Sequence, residues 1–246
     1  MSKSLRSLAV RVARFVPWRV LPLDSLLRLS QRMGAGFARL LQLRDWQLEA
    51  RGRPQFFKHQ VNLGRWPYDP ARWSFTARGV YARENMFSGC KVLDLCCGDG
   101  SYSYLFFSDI AAHIDAVDND EYAISYARRY HRSPRIAYHK LDILAAPWPA
   151  ADYDVIVWNA AICYFTEPQI RSVLGRIAAS GKPGLRLNGM LPRANNWVDH
   201  KTEFHDAQAV ESLLRQYFAT VGVRTVEEGA TVTYYFEARD PAPARA

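Results

Sequence analysis

Cysteine is scarce in this 246-residue chain, and the four that occur are not spaced to act together. Cys90, Cys96, Cys97 and Cys163 form no C-x-x-C pair and no dense framework, which excludes a zinc knuckle and a disulfide scaffold and suits a reducing, cytoplasmic setting. Long apolar runs are missing too. The longest stretch free of Asp, Glu, Lys and Arg is Val155–Thr166, twelve residues, against the roughly 20 that a membrane-spanning helix needs. Lys3, Arg6, Arg11, Arg14 and Arg19 break every apolar stretch at the start of the chain, so no secretory signal can be drawn there.

A dominant charge is absent from most of the chain. Residues 54–246 hold 21 basic and 21 acidic side chains, which gives no footing for a nucleic-acid partner. The net +8 belongs to residues 1–53, where eleven Lys and Arg face only Asp24, Asp45 and Glu49. On a helix, Leu5, Leu8, Val12, Phe15 and Val16 share one face and Lys3, Arg6, Arg11 and Arg14 the other, with Pro17 as a stop. A second apolar-and-arginine segment runs from Leu23 to about Leu43. Such helices either pack on the rest of the protein or lie on an anionic membrane surface, which would place the protein peripherally at the inner face of a membrane.

What is present is a chain with 49% hydrophobic residues, enough for a full core, in which short Val, Ile and Tyr runs alternate with helical periods after residue 90. The pattern predicts strands at Lys91–Leu95, His113–Asp118, Ile136–Leu141, Asp154–Ala160 and Gly184–Met190. An antiparallel pair is expected at Val223–Glu227 and Thr231–Ala238. Helices are expected at Ser101–Phe107, Glu121–Tyr130, Glu167–Ala179 and Asp206–Phe218. The fold class is therefore α/β, a doubly wound Rossmann-like sheet, mostly parallel with an antiparallel final strand, preceded by a helical extension. The divisions are a basic amphipathic extension at 1–53, an aromatic-rich lid and first-helix segment at 54–90, the main domain at 91–239 and a disordered tail at 240–246.

One stretch concentrates the chemistry. VLDLCCGDGS, residues 92–101, is a strand turning into a glycine loop and then a helix, which surrounds a ligand with backbone N–H groups. Asp94 at the strand end would repel a pyrophosphate and attract an ammonium, and position 103 is Ser where a dinucleotide loop has its third glycine. Cys96 stands where a glycine is usual. A cysteine leaves the turn feasible if its backbone keeps a negative φ. Three more polar groups fall at the ends of successive strands: Asp118, Asp142 and Asn159.

Together VLDLCCGDGS, IDAVDND, HKLDIL and DVIVWNAAICYF resemble the four strand-end motifs of the class I S-adenosylmethionine-dependent methyltransferases, over roughly residues 78–238. The resemblance implies S-adenosylmethionine as cofactor, with contacts at Asp94, Cys96, Gly98, Gly100, Asp118, Asn119, Asp142, Ile143 and Asn159. Asp118 would grip both ribose hydroxyls, and Asp142 would lie beside the adenine amino group. Quinone-biosynthesis C-methyltransferases have similar DLCCG loops, but no wider match carries their substrate over. The segment RWPYDPARWSFTARGVYARENMF would fold over the cofactor, with Arg78 and Arg83 as candidates for its carboxylate and a solvated helix face as their alternative.

Methyl transfer is an in-line displacement that depends on positioning, and an alcohol acceptor must also lose a proton. Candidates for that base lie in WVDHKTEFHDA: His200, Glu203 and His205, with a helix cap as the alternative for His205. His139 is expected on the sheet face away from the ligand, and His113 is expected to be structural. The fourth motif lacks the two prolines and stacking aromatic of enzymes that methylate exocyclic amines of nucleic acids. RLNGMLPR offers no acidic ligand, so no metal is expected. The expected function is transfer of a methyl group to a small-molecule, glycan or lipid-linked acceptor at oxygen. The alternatives are C- or N-methylation of a small metabolite or quinone, and a cofactor-binding scaffold.

Overall fold

The computed structural model describes Met33 and residues 70–193, 200–228 and 231–242. The basic extension at 1–53 therefore lies outside the described residues, Met33 apart, as does the end of the tail. The rest falls in the unit Asp69–Ala246. No described helix is long and apolar enough to cross a membrane.

Seven strands form one sheet in the order β3-β2-β1-β4-β5-β7-β6. They are β1 (Lys91–Leu95), β2 (His113–Asp118), β3 (Ile136–Lys140), β4 (Val155–Asn159), β5 (Arg186–Pro192), β6 (Phe218–Glu228) and β7 (Thr231–Pro241). Pairing is parallel from β3 through β5, while β7 runs antiparallel to both β5 and β6. The helices are α1 (Pro70–Glu84), α2 (Glu121–Tyr130), α3 (Glu167–Ala179) and α4 (Ala207–Leu214), with a π-helical turn at Ser103–Phe107.

Because the parallel strands are covered on both faces, they are mostly apolar, with Asp94, Asp115, Asp118 and Asn188 as buried polar interruptions. Alternation then sorts their side chains. Leu93, Leu95, Val117, Ile156 and Trp158 pack toward α3 and α4, and Val92, Ala116 and Val157 pack toward α2 and the π-helical turn. Asp120 caps α2 by accepting from the Tyr122 and Ala123 amides, and Thr166 with Gln169 forms a capping box on α3. Each cap stabilises its helix by about 1 kcal/mol.

Several predicted boundaries are corrected, each for a local reason. The expected Asp206–Phe218 helix stops at Leu214 because Phe218 already pairs with Pro241, so β6 starts five residues before the predicted Val223. Asp240 and Pro241 belong to β7 rather than to a tail, and Asp240 accepts from the Gly184 amide at 3.2 Å. Gly184, at φ +76°, turns the chain before β5 instead of starting it. Ala160, at φ +54°, leaves β4 rather than ending it. Leu141 is likewise outside β3, and residues 103–107 form a π-helical rather than an α-helical turn.

Gly100 combines a left-handed backbone with a crowded Cβ position. Its φ is +74°, and a Cβ there would stand 2.4 Å from the Tyr138 ring. Gly100→Ala is expected to destabilise the fold by roughly 2–5 kcal/mol, from left-handed strain plus overpacking, read as a lower midpoint in urea unfolding. A midpoint equal to that of the parent would show that the loop relaxes freely.

Candidate active site

The strand order reverses between β1 and β4, so the loops after those strands diverge and open a crevice at their carboxyl ends. Register places the polar groups there. Asp94 pairs with Ala116 on one side and Val157 on the other. Two residues further along, on the same faces, come Asp118 and Asn159, which therefore stand one layer above Asp94 around the loop at 96–100.

That loop is held by the acids themselves. One oxygen of Asp118 accepts from the Gly98 amide at 2.9 Å, and the other accepts from the Asp120 amide at 2.9 Å. Asp94 accepts from the Ser103 hydroxyl at 2.6 Å. Ser103, noted in the sequence only as a missing glycine, is thus the partner of the first acid. Burial pushes the Asp94 carboxyl up to about 7, with the Ser103 hydrogen bond opposing and the charge of Asp118 adding to the rise. Asp118 is raised as well, by burial, against the two backbone hydrogen bonds that favour its charge. Two acids are therefore held at the crevice at a cost that a cationic ligand would relieve.

The Cys96 backbone is not at negative φ as expected. Its φ is +58°, and the Cys97 amide donates to the Val117 carbonyl at 3.0 Å, so the chain takes the left-handed turn despite the Cβ. The strain costs roughly 1–2 kcal/mol. The Cys96 side chain packs toward the α3 side, and burial raises the thiol strongly. Ala160 carries the same strain after β4. Strained non-glycine residues thus flank the crevice on both sides, a distribution typical of ligand-binding loops.

The remaining cofactor candidates divide by position. Asn159 has a buried Nδ2 with no hydrogen-bond partner. Asn119 is exposed, and its amide faces the Asp118 carboxylate. Asp142 is exposed and accepts from the Leu144 amide at 2.9 Å, while the Ile143 side chain belongs to the core. Arg83 is removed from the list, because it grips the Asp109 carboxylate and the Phe106 carbonyl. Arg78 stays on it: its Nε is buried and unpartnered, and the side chain reaches Tyr102.

The three candidate bases separate. Lys201 and Thr202 donate from their amides to the Cys163 carbonyl at 2.8 and 3.2 Å, and the Thr202 hydroxyl donates to Phe165. These bonds tie residues 200–203 to the segment that leaves β4. His200 consequently stands edge-on to Tyr164, with ring centres 5.3 Å apart, on the Asn159 side of the sheet. Glu203 is half-buried next to this anchor. His205 is exposed, its carbonyl receiving the Tyr234 hydroxyl, and the cap of α4 is Asp206 rather than His205. His139 and His113 both meet the buried Asp115, at 2.7 and 3.3 Å, on the α3 face away from Asp94.

Two groups were not singled out in the sequence. Asp99, within the loop, is 3% exposed and accepts from Ser101, leaving Oδ2 without a partner. His131 lies 2.7 Å through Nδ1 from the Asp99 carbonyl and so props the loop from α2. The D-x-S spacing of Asp99 and Ser101 is an Asx-turn signal that could have pointed to the first. Nothing local points to the second.

A family model described as a methyltransferase domain matches residues 92–184. That segment is similar to a methyltransferase domain. It runs from β1 to the turn before β5 and contains the loop, both buried acids and Asn159. Solved structures agree on the fold. The N-methyltransferase NodS from Bradyrhizobium japonicum WM9, in complex with S-adenosyl-L-homocysteine, is 16% identical with a TM-score of 0.58, the match covering 72% of this chain and 91% of that one. The DhpI–S-adenosylhomocysteine complex is 15% identical, TM-score 0.56, over 72% of this chain and 90% of that one. SpnF, a cyclase, is 15% identical, TM-score 0.58, over 72% and 86%. No curated protein sequence matches the chain. The matched segment thus lies within a sheet whose fold is shared with these solved structures.

Proposed function

We propose that the protein binds S-adenosylmethionine in the crevice between β1 and β4 and methylates a small-molecule, glycan or lipid-linked acceptor at oxygen. The observation that carries this reading is the convergence of Asp94, Asp118 and Asn159 on the glycine loop inside the segment similar to a methyltransferase domain. NodS and DhpI, each in complex with the demethylated product, support it by analogy of fold. The residues suit the group. The buried acids match its ammonium and ribose hydroxyls, and the unpartnered Asn159 Nδ2 awaits an acceptor atom.

The bound cofactor supplies an electrophilic methyl group on a sulfonium. Asp94 would hold the ammonium, Asp118 the ribose hydroxyls, Asp142 and the Ile143 backbone the adenine, and Arg78 the carboxylate. His200 accepts the proton of the acceptor hydroxyl at Nδ1 or Nε2 as the oxygen becomes methylated. We place the protein in the cytoplasm, peripheral to the membrane through residues 1–53, with an acceptor of small size rather than nucleic acid.

A turnover screen with methyl-labelled S-adenosylmethionine tests the reaction, using lipid-linked glycans, quinones, nucleic acids and soluble metabolites as acceptors. Label appearing as an ether or ester in the glycan or lipid fraction is expected. Label confined to carbon or nitrogen products would replace the oxygen assignment.

The raised Asp94 carboxyl adds a pH dependence. Only the ionised form attracts the ammonium, so below about pH 7 binding must first remove a proton. Affinity is expected to rise by about tenfold in all between pH 6 and pH 8, with the rise lost in Asp94→Asn. Calorimetry across about pH 6 to 8 checks this. A flat profile in the parent would separate Asp94 from the ammonium.

A further inference from the structure

The end of α2 and the turn after it carry Arg128, Arg129, Arg132 and Arg135, and no Asp or Glu occurs between residues 122 and 141. Carbonyls rather than carboxylates orient three of them. Arg128 donates to Tyr138, Arg132 to Arg128, and Arg135 to the carbonyls of Ser108, Asp109 and Ala111. Arg129 lies over the Tyr130 ring, 5.1 Å from its centre. Among the described residues, the ion pairs of this region, Arg83–Asp109 and Lys140–Glu121, include none of the four. Their positive charge therefore stays on the surface, and each guanidinium keeps donors to spare. Arg128 and Arg132 also line a surface cavity of about 410 Å³ together with Ser133, Pro134, Ile136 and Tyr138. Two guanidinium groups and a hydroxyl above an apolar floor suit a phosphate ester attached to a carbon skeleton.

The surroundings narrow the source of that phosphate. A line of rings runs from the end of α2 to the π-helical turn: Tyr130 on Tyr126 at 4.4 Å, Tyr126 on His131 at 5.8 Å and His131 on Tyr104 at 5.3 Å. These faces are occupied by one another and by Arg129, so they offer no open platform for bases. What protrudes is amphipathic or aliphatic instead: Tyr130 at 53% exposure, Tyr104 at 38% and the neighbouring Leu105 at 57%. Tyrosines with aliphatic neighbours and unpaired arginines are the side chains that settle at a lipid headgroup layer.

We propose that the Arg128–Arg135 surface docks on anionic phospholipid, with one headgroup phosphate taken into the cavity between Arg128 and Arg132. This contact does not depend on the methyl acceptor. The test is co-sedimentation of the full chain with phosphatidylcholine vesicles, with and without phosphatidylglycerol, at low and high salt. Binding only to the anionic vesicles and only at low salt is expected. Arg129→Gln/Arg132→Gln should lower the low-salt vesicle affinity by on the order of tenfold or more, and Leu105→Ser/Tyr130→Ser should lower it as well. Far-UV circular dichroism on the same variants reports whether they remain folded, and S-adenosylmethionine calorimetry beside it distinguishes failure of this surface from failure of the cofactor assignment. A folded arginine variant that keeps the parent's vesicle affinity within twofold overturns the proposal. So does arginine-dependent binding of inorganic phosphate or a single-stranded oligonucleotide without binding of vesicles.

Discussion

Asp118→Ala is expected to weaken S-adenosylmethionine binding by roughly 1.5–3 kcal/mol, a loss of more than tenfold in affinity measured by calorimetry. Two losses add. The ribose would lose a charged acceptor, and the Gly98 and Asp120 amides would lose the oxygens that now receive them at 2.9 Å. The second loss predicts that Asp118→Asn will not rescue binding, because an amide can accept from one of those N–H groups but presents N–H to the other. Far-UV circular dichroism should report an intact fold in both variants, since the sheet core lies below the loop. A folded Asp118→Ala protein with parental affinity would remove Asp118 from the cofactor site.

His200→Ala is expected to lower the maximal rate with an alcohol acceptor by about 100-fold while leaving cofactor affinity unchanged. His205→Ala should stay within a few-fold of the parent, because the structure engages only the His205 carbonyl and leaves its ring on the surface. The two histidines were equivalent in the sequence. Anchoring of residues 201 and 202 to the Cys163 carbonyl separates them, by drawing His200 to the chain that leaves Asn159. A parental rate in both variants would indicate carbon or amine chemistry, where positioning suffices without a base.

The sheet was legible in the sequence where burial on both faces leaves no alternative. β1 and β2 begin and end as predicted, and α2 and α3 match residue for residue. Their apolar patterns and caps are local, so the chain itself reports them. Misplaced boundaries arose where a distant partner decides the local conformation: Phe218 pairs across with Pro241, and Asp240 accepts from Gly184. The same contrast divides the candidate site. Asp94, Gly98, Gly100 and Asp118 are recognisable because strand ends and glycine turns have spacing signals. The hydroxyl of Ser103 on Asp94 and the ring of His131 behind Asp99 are contacts across 9 and 32 residues, with no signal of their own. Cys96 was misjudged for a different reason. The loop's left-handed turn is imposed by Cys97 bonding to Val117, and it outweighs the modest steric preference of one Cβ.

The central claim is that the crevice between β1 and β4 holds S-adenosylmethionine through Asp94 and Asp118. Calorimetric titration of the full chain with S-adenosylmethionine and, separately, with S-adenosylhomocysteine tests it most directly, because both molecules present the ammonium and the ribose hydroxyls. Both are predicted to bind with one site per chain, each more weakly in Asp118→Ala. Absence of binding by either at concentrations near 1 mM, where even an affinity of about −4 kcal/mol would register, would contradict the account.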